Sequence, residues 1–594
     1  MILYDLIDSE KKPSLTSQIN SLLQAAFIKA GLPTETAFST KSMMTDIADF
    51  QCNGVLQVAK SLRKNPFDLA TTVVNHLLIS PEFSNVSVSG PGFINLKLSD
   101  EMLNRSASKQ LEDPNLNVSL VNNKRCILID FGGPNVAKPL HVGHLRSLII
   151  GESVRRIFAI QGYNIISDLH LGDWGLQMGM LISEIEIRYP NLRCFDELNP
   201  SLSIDSLKCI EELDSLYPEA SKACQNDPER MQFARKVTAA LQAGHVGYRL
   251  LWEKLRSISL SKQLKDMELL NAHFDLFLGE SDVQPLIPEM IQSLRSKGIA
   301  KESQGALIID VSEETDKKPM PPLILEKSDG SALYATTDLA TVLDRYIKFQ
   351  PESILYVVDQ RQSLHFEQVF RAVRVADYAK STKLIHIGFG TVNGVDGKPY
   401  KTRDGGVARL SDLLEEAIQK AKSRIALRSE TTGEESELLA RKVGLAAIKF
   451  ADLDSHRQSG YIFDAERLVS FEGRTGPYVQ YACVRISSIL KKAEEYGWSK
   501  GDINIIEPAE RELVIECARF PDYILSVSST YAPNEITNYV FNLAQVFHRF
   551  YKECSVMNAN NDEIRSSRIS LCMLAHAVLS RGLWLLGIEV PTRM

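Results

Sequence analysis

The segment Cys126–Gly151 constrains this chain more than any other. Cys126 to Ile129 is an apolar run of the kind a buried parallel strand needs. Gly132-Gly133-Pro134-Asn135 then bends the backbone sharply. Leu145, Leu148, Ile149, Val154, Ile157 and Phe158 follow at helical spacing, with Gly162 as the stop. Strand, glycine turn and helix start make a phosphate-binding geometry, because free backbone N–H groups and the positive end of the helix dipole point at a ligand. His141 and His144 sit at that helix start on one face, and Gly143 between them leaves room for a flat base to approach the backbone. Taken alone, two histidines at this spacing fit metal ligation or plain packing as readily as phosphate binding.

The chain has 594 residues, enough for several domains. Lys+Arg 67 against Asp+Glu 74 gives a net charge of −7, so an RNA partner would need local basic patches on an acidic body. The 9 cysteines contain no Cys-x-x-Cys pair, which points to a reducing compartment and away from a structural zinc site. The first residues carry acids before any base, unlike a secretory or transit signal. No apolar run reaches membrane-spanning length, and a cytoplasmic protein is expected.

Three units are expected. Residues 1–112 read as an α+β unit, with helices over Leu15–Ala30 and Asp68–Leu78 and a strand-turn-strand over Val86–Leu98. Polar residues from Ser106 to Asn123 read as a linker. Residues 124–470 read as an α/β domain with a Rossmann-like parallel sheet and a helical insertion around 181–278. Its second strand is Tyr163–Asp168, followed by His170-Leu-Gly-Asp-Trp174-Gly-Leu-Gln177 at the strand's C-terminal end, where open α/β sheets bind ligands; Trp174 also reads as a space filler. Further strands fall at Gly305–Asp310, Met320–Leu325 and Ile354–Asp359, with an Asp329-Gly330 turn between. Tyr334 and Asp338 share a face if their segment is helical. The glycine-rich, basic stretch Gly388–Gly406 fits a surface hairpin or a catalytic loop. Residues 476–594 are helical throughout, with apolar stripes over Asn534–Glu553 and Arg568–Leu586.

Pro139-Leu-His141-Val-Gly143-His144 resembles the His-Ile-Gly-His motif of class I aminoacyl-tRNA synthetases, and the run from Asn135 resembles arginyl-tRNA synthetases of the bacterial type in particular. Gly-Asp-Trp-Gly at 172–175, Tyr-Ala-Thr-Thr-Asp at 334–338, Asp-x-Arg-Gln-x-x-His at 359–365 and the C-terminus from Leu585 are similar to the same family, in family order. The resemblance implies ATP-dependent attachment of L-arginine to tRNA(Arg) through an arginyl-adenylate, by a monomer, with magnesium accompanying ATP and no structural metal. It implies an ATP-binding run of Pro134, Asn135, Val136, Ala137, Lys138, Pro139, Leu140, His141, Val142, Gly143 and His144. It implies an arginine pocket of Asp130, Asn135, Tyr334, Asp338 and Gln362. A planar, charged guanidinium with five donors suits such a set; which carboxylate meets the guanidinium and which the α-ammonium stays open. The 1–112 unit would touch the tRNA elbow, with Phe93 in the matching Gly-Pro-Gly-Phe segment, and the C-terminal helices would bind the anticodon, with Arg549, Tyr551 and Lys552 as contacts.

In the loop that corresponds to the class I Lys-Met-Ser-Lys-Ser motif, Tyr400-Lys401-Thr402-Arg403 puts threonine where the second lysine is expected. Lys398 or Lys401 is then the loop's charge, and Lys138 is the family's substitute beside the histidine motif. Two other classes stay open: a nucleotidylyltransferase on the same fold, whose pyrophosphate exchange would not depend on arginine, and a non-catalytic RNA-binding relative, which would release no pyrophosphate.

Overall fold

A computed structural model describes residues 13–44, 46–121, 125–196, 200–201, 213–327, 334–400, 408–427 and 433–594, with the side chains of 213–215 left aside. The N-terminal unit runs α1 (Leu15–Lys29), β1 (Thr40–Lys41), β2 (Phe50–Cys52), α2 (Gly54–Leu62), α3 (Pro66–Leu77), β3 (Phe83–Ser89), β4 (Phe93–Leu98) and α4 (Asp100–Glu112). Its antiparallel sheet has the order β1-β2-β4-β3. Side chains of Ser14, Asn65 and Ser99 cap α1, α3 and α4, and Pro66 opens α3 where a missing N–H costs nothing. The linker expected from Ser106 is helical as far as Glu112. Ala107 and Gln110 of α4 are buried against the C-terminal helices, and the Gln110 amide donates to the Cys517 carbonyl at 2.8 Å, so a polar segment hid a packed stripe.

The middle of the chain builds a parallel sheet from β5 (Cys126–Phe131), β6 (Asn164–Asp168), β10 (Ser353–Val357) and β11 (Lys383–His386), in the order β11-β10-β5-β6. The chain grows outward from β5 to β6 on one side and later from β10 to β11 on the other. The crevice at the C-terminal ends of β5 and β10 is therefore the topological switch point where such sheets bind ligands. Register lines up Tyr356, Asp130 and Asp168 across three strands at that edge. Alternate residues of β5 face opposite sides: Ile127, Ile129 and Phe131 join the core around α5 (Val142–Ile160), and Leu128 joins the core under α12 (Tyr334–Phe349) and α13 (Ser363–Val375). The expected apolar face of α5 is only half of it. α5 is buried nearly all round, because helices from the C-terminal part cover its outer side; Gly151 lies so close to Phe131 that a Cβ would come within 2.3 Å of the ring.

Between β6 and β10 lie α6 (Leu176–Arg188), α7 (Leu213–Asn226), α8 (Pro228–Gln242), α9 (Val246–Leu269), α10 (Glu280–Val283), α11 (Ile287–Ser296) and the antiparallel sheet β7 (Ala300–Ser303), β8 (Ala306–Ile309) and β9 (Leu323–Glu326). Within the expected helical insertion, α8 and α9 are separated at Gly244, whose φ is +94°. Trp174 packs edge-on against Trp252 of α9 with ring centres 5.3 Å apart, and is 4% exposed. The Asp329-Gly330 turn lies outside the described residues.

Beyond β11 follow β12 (Val392–Asn393), α14 (Leu410–Ala426), α15 (Gly433–Asp454), β13 (Tyr461–Ile462) and α16 (Ala465–Leu468). The C-terminal bundle is α17 (Gly476–Glu495), α18 (Pro508–Ala518), α19 (Phe520–Thr530), α20 (Asn534–Glu553) and α21 (Asp562–Leu585). The N-terminal unit docks on this bundle through polar bonds. The Ser14 and Thr16 hydroxyls donate to Asp522 at 2.5 Å each, Lys41 pairs with Glu516 at 2.6 Å, and Arg511 pairs with Asp49 at 2.6 Å. Among the described residues, no helix is long and apolar enough to cross a membrane.

Candidate active site

The turn after β5 is where the backbone does unusual things. Gly132 and Gly133 have φ of +91° and +48°, in the left-handed region that favours glycine, and a Cβ on Gly132 would sit 2.7 Å from Leu169. The Gly132 N–H donates to Ser147 Oγ, whose hydroxyl donates to the Val357 carbonyl, so the turn is tied to α5 and β10 at once. Val136 and Gly172 exchange backbone bonds through Val136 N–H to Gly172 and Gly172 N–H to Pro134, each 3.0 Å. Gly172 has no room for a side chain because Asn135 Oδ1 occupies that space.

His141 is the N-cap of α5. Its Nδ1 accepts the Gly143 N–H, and His144 Nδ1 accepts the His141 N–H, each at 3.0 Å. A ring nitrogen that accepts carries no proton, so each neutral ring keeps its proton on Nε2. Burial, with Lys138 and Arg361 nearby, holds His141 below the ordinary histidine range; burial and the adjacent His141 push His144 down to about 3. At neutral pH both rings are therefore uncharged Nε2–H donors beside the positive end of α5. A Cβ on Gly143 would lie 2.7 Å from the His141 ring, so the glycine also makes room for the capping histidine.

Lys138 is half-buried, with its ammonium 4.6 Å from the centre of the Tyr217 ring in the insertion. Ala137 before it adopts φ +63°, which an alanine avoids unless its surroundings impose it. The second expected loop begins as a hairpin: Gly394 N–H donates to Lys398 at 2.8 Å and Tyr400 N–H to Val392 at 3.0 Å, with Lys398 exposed at its tip. Lys401, Thr402 and Arg403 lie outside the described residues. The chain re-enters at Ala408 against the histidine turn, where Val142 N–H donates to Ala408 at 3.1 Å and Leu410 N–H to Leu140 at 2.9 Å. The histidine motif and the segment Ala408–Leu410, far apart in sequence, are thus clasped by backbone bonds on either side of His141.

At the strand ends, Arg345 of α12 is fully buried and its Nη2 donates to both Asp130 and Asp168 at 2.6 Å. Burial raises Asp130 above the usual carboxylate range despite that guanidinium. Burial acts on Asp168 the same way, but Arg345 and His170 outweigh it and bring it well below. Despite burial, the two carboxylates hold His170, 3.8 Å from Asp168, above the ordinary histidine range, and so it is a second cationic group of this cluster. Asp130, Asp168 and His170 are also the one group among the described residues with metal-ligand types in mutual reach, and Arg345 stands where a cation would.

One end of α12 brings Tyr334 and Asp338 to the same crevice. Asp338 Oδ2 lies 2.5 Å from His365 Nε2, with both side chains about a third exposed (31% and 30%). Tyr334 is exposed, with its hydroxyl beside Gly175, and Gln362 is exposed in the turn before α13. Glu280, at the start of α10, is pushed up to about 7 by burial and by Asp173 and Asp338. Arg345, His365 and Glu280 are not among the expected site residues. His365 stood in a quoted motif; Glu280 and Arg345 gave no local signal.

The expected RNA contacts lie elsewhere. Phe93 is half-buried and its ring covers Gly90. Arg549 is exposed but paired with Glu512 at 2.9 Å and Glu553 at 3.2 Å, and Lys552 is exposed. Tyr551 is 41% exposed, and the Arg485 guanidinium lies 4.5 Å from its ring centre.

Comparison with known proteins follows this layout. Residues 107–465 match the family model described as tRNA synthetases class I (R), catalytic domain; residues 14–98 match the arginyl tRNA synthetase N terminal domain; residues 479–594 match the DALR anticodon binding domain. The arginine--tRNA ligase of Maricaulis maris is 43% identical over 587 residues, covering 98% of this chain and 100% of the relative; that of Alkaliphilus oremlandii is 41% identical over 584 residues with the same coverage. Among solved structures, the arginyl-tRNA synthetase of Plasmodium falciparum superposes with a TM-score of 0.82 at 27% identity, over 99% of this chain and 100% of that one. The Thermus thermophilus enzyme shares the fold, with a TM-score of 0.79 at 24% identity over 98% and 100%. A catalytic-domain match over more than half the residues, together with relatives alike from end to end, places this chain in the arginyl-tRNA synthetase family of class I ligases.

Proposed function

We propose that this chain joins L-arginine to the 3′-terminal ribose of tRNA(Arg) at the expense of ATP, giving arginyl-tRNA, AMP and pyrophosphate. The arginine carboxylate attacks the α-phosphate of ATP, pyrophosphate leaves, and the ribose hydroxyl then displaces AMP from the adenylate. No enzyme nucleophile is needed, so the residues act by positioning and by stabilising charge.

The observation that carries this reading is the histidine pair. Two neutral rings, each locked by a backbone bond to Nδ1, aim Nε2–H donors at the space in front of α5. Donors fixed before the reaction gain most as negative charge builds on the phosphates. Lys138 adds a positive charge from the turn beneath, with Lys398 or Lys401 as the second source. The turn Pro134–Leu140 holds the nucleotide, and magnesium would arrive on the ATP phosphates.

Asp338, oriented by His365, takes the substrate guanidinium, with Tyr334 as the wall and Gln362 beside it. A cation arriving there also favours ionisation of Glu280. Asp130 and Asn135, beside the phosphate-binding turn, take the α-ammonium. Phe93 and the Arg549–Tyr551–Lys552 face contact the tRNA. All these residues come from one chain, so a monomer suffices, and the eight described cysteines are free thiols, which suits the cytoplasm. Charging of tRNA(Arg) with labelled arginine tests the reading. An acid-stable but base-labile arginyl-RNA is expected, and RNA binding with no arginine transfer would contradict it.

A further inference from the structure

Lys138 stands on a turn held mostly from outside. Ala137 is left-handed, Pro139 follows with no N–H to give, and the Lys138 N–H makes only a long bond within the turn, to Asn135 at 3.4 Å; Gly172 and Gln177 hold the first half, and the Ala137–Lys138 end is held from helix α9, more than a hundred residues on. Ser259 Oγ accepts the Ala137 N–H at 2.9 Å. One helical turn later, Gln263 Nε2 donates to the Asn135 carbonyl at 3.0 Å and to the Lys138 carbonyl at 2.9 Å. The two side chains are buried, at 5% and 3% exposure. Gln263 Oε1 has no partner, so the two carbonyls alone set the amide's orientation; a flip would face oxygen to oxygen. A free helix face would not bury a serine and a glutamine in register with three backbone groups of one turn.

We propose that Ser259 and Gln263 are positioning residues for the activation step, which act by fixing the Lys138 turn in its left-handed form. The inference rests on the role given to Lys138 in the proposed reaction. Removing either bond frees Ala137 to relax towards ordinary φ, which swings Lys138 relative to His141. A displacement of about 1 Å costs on the order of 10²-fold in rate where catalysis is positioning.

The test is a double-mutant cycle on the full chain, read as arginine-dependent pyrophosphate exchange at saturating tRNA(Arg), with kcat and the KM for arginine measured separately. Ser259→Ala and Gln263→Leu should each lower kcat by about 10- to 100-fold; the arginine KM should stay within about twofold in Ser259→Ala, whose one bond is to Ala137, whereas Gln263→Leu also releases Asn135. Lys138→Ala/Gln263→Leu should be no slower than Lys138→Ala alone, since a group that acts through Lys138 has nothing left to position. Ser259→Ala deletes one oxygen and keeps the test readable if Gln263→Leu fails to fold; its double with Lys138→Ala is read in the same way. Full activity in both single variants, or losses that multiply in the doubles, overturns the inference while leaving Lys138 its role. Full activity in Lys138→Ala overturns that role and the inference with it.

Discussion

His144 accepts the backbone N–H of His141 through Nδ1 just as His141 accepts that of Gly143, and these two bonds fix the tautomer of both rings. They leave each Nε2 proton free for a phosphate, while burial keeps the pair uncharged. His141→Ala or His144→Ala should lower the activation rate by roughly 10²–10³-fold, the cost of one preorganised donor. Arginine affinity should change little, because the bond strengthens only as charge develops.

Burial of the pair sets a pH dependence. His144 falls to about 3 in the folded chain and His141 also falls, both from an unfolded value near 6.5. The unfolded state then binds more protons between those limits, so the stability these rings contribute is complete above about pH 6.5 and is lost as pH falls towards 3. Unfolding midpoints measured from pH 7 down to 4 should decline less steeply in His144→Ala than in the parent. An equal slope would mean that His144 is not held neutral.

In the proposed reaction Asp338 contacts the guanidinium and His365 orients Asp338. Asp338→Asn should weaken arginine by about 2–5 kcal/mol, because a guanidinium in the pocket loses its counter-charge. His365→Ala removes only the bond that aims the carboxylate and should cost about 1 kcal/mol. Arginine KM values from exchange assays would show both, and wild-type affinity in Asp338→Asn would take that residue out of the pocket.

For the RNA-facing residues, truncation is a poor probe. Removing the first 112 residues strips Asp522 and Glu516 of bonds from Ser14, Thr16 and Lys41 and uncovers the α4-facing side of the bundle. Truncation should therefore lower the thermal midpoint. Phe93→Ala and Tyr551→Ala should weaken tRNA binding with the midpoint unchanged, and log affinity should fall with log salt by about 0.7 to 0.9 per phosphate contact. A salt-independent affinity would contradict contact through local basic patches on a body of net charge −7.

The legible features of this chain were the ones carried by periodicity and by short motifs. The run Cys126–Ile129, the stripe along α5 and the helical pattern from Asn534 are repeated local signals, and each became the element its period implied. What stayed hidden depends on contacts distant in sequence. Ser106–Glu112 looked like linker because its buried side meets helices four hundred residues away. Gly143 was read for a ligand, and its neighbour's ring also needs the space. Arg345 gave no warning, since a lone arginine on a helix is usually solvated and only strand register brings Asp130 and Asp168 together beneath it.

The central claim is that this site activates arginine with ATP, and it is tested most directly by pyrophosphate exchange with each of the twenty amino acids, with and without tRNA(Arg). In the proposed reaction, with threonine at position 402, the positive charge at the α-phosphate would rest on Lys138 and on Lys398 or Lys401, and RNA docked across the domains is expected to hold that arrangement. The account predicts exchange with arginine alone, negligible until tRNA is added. Exchange that needs no amino acid, or that follows another amino acid, would contradict the proposed reaction, and full exchange in the absence of RNA would contradict the coupling.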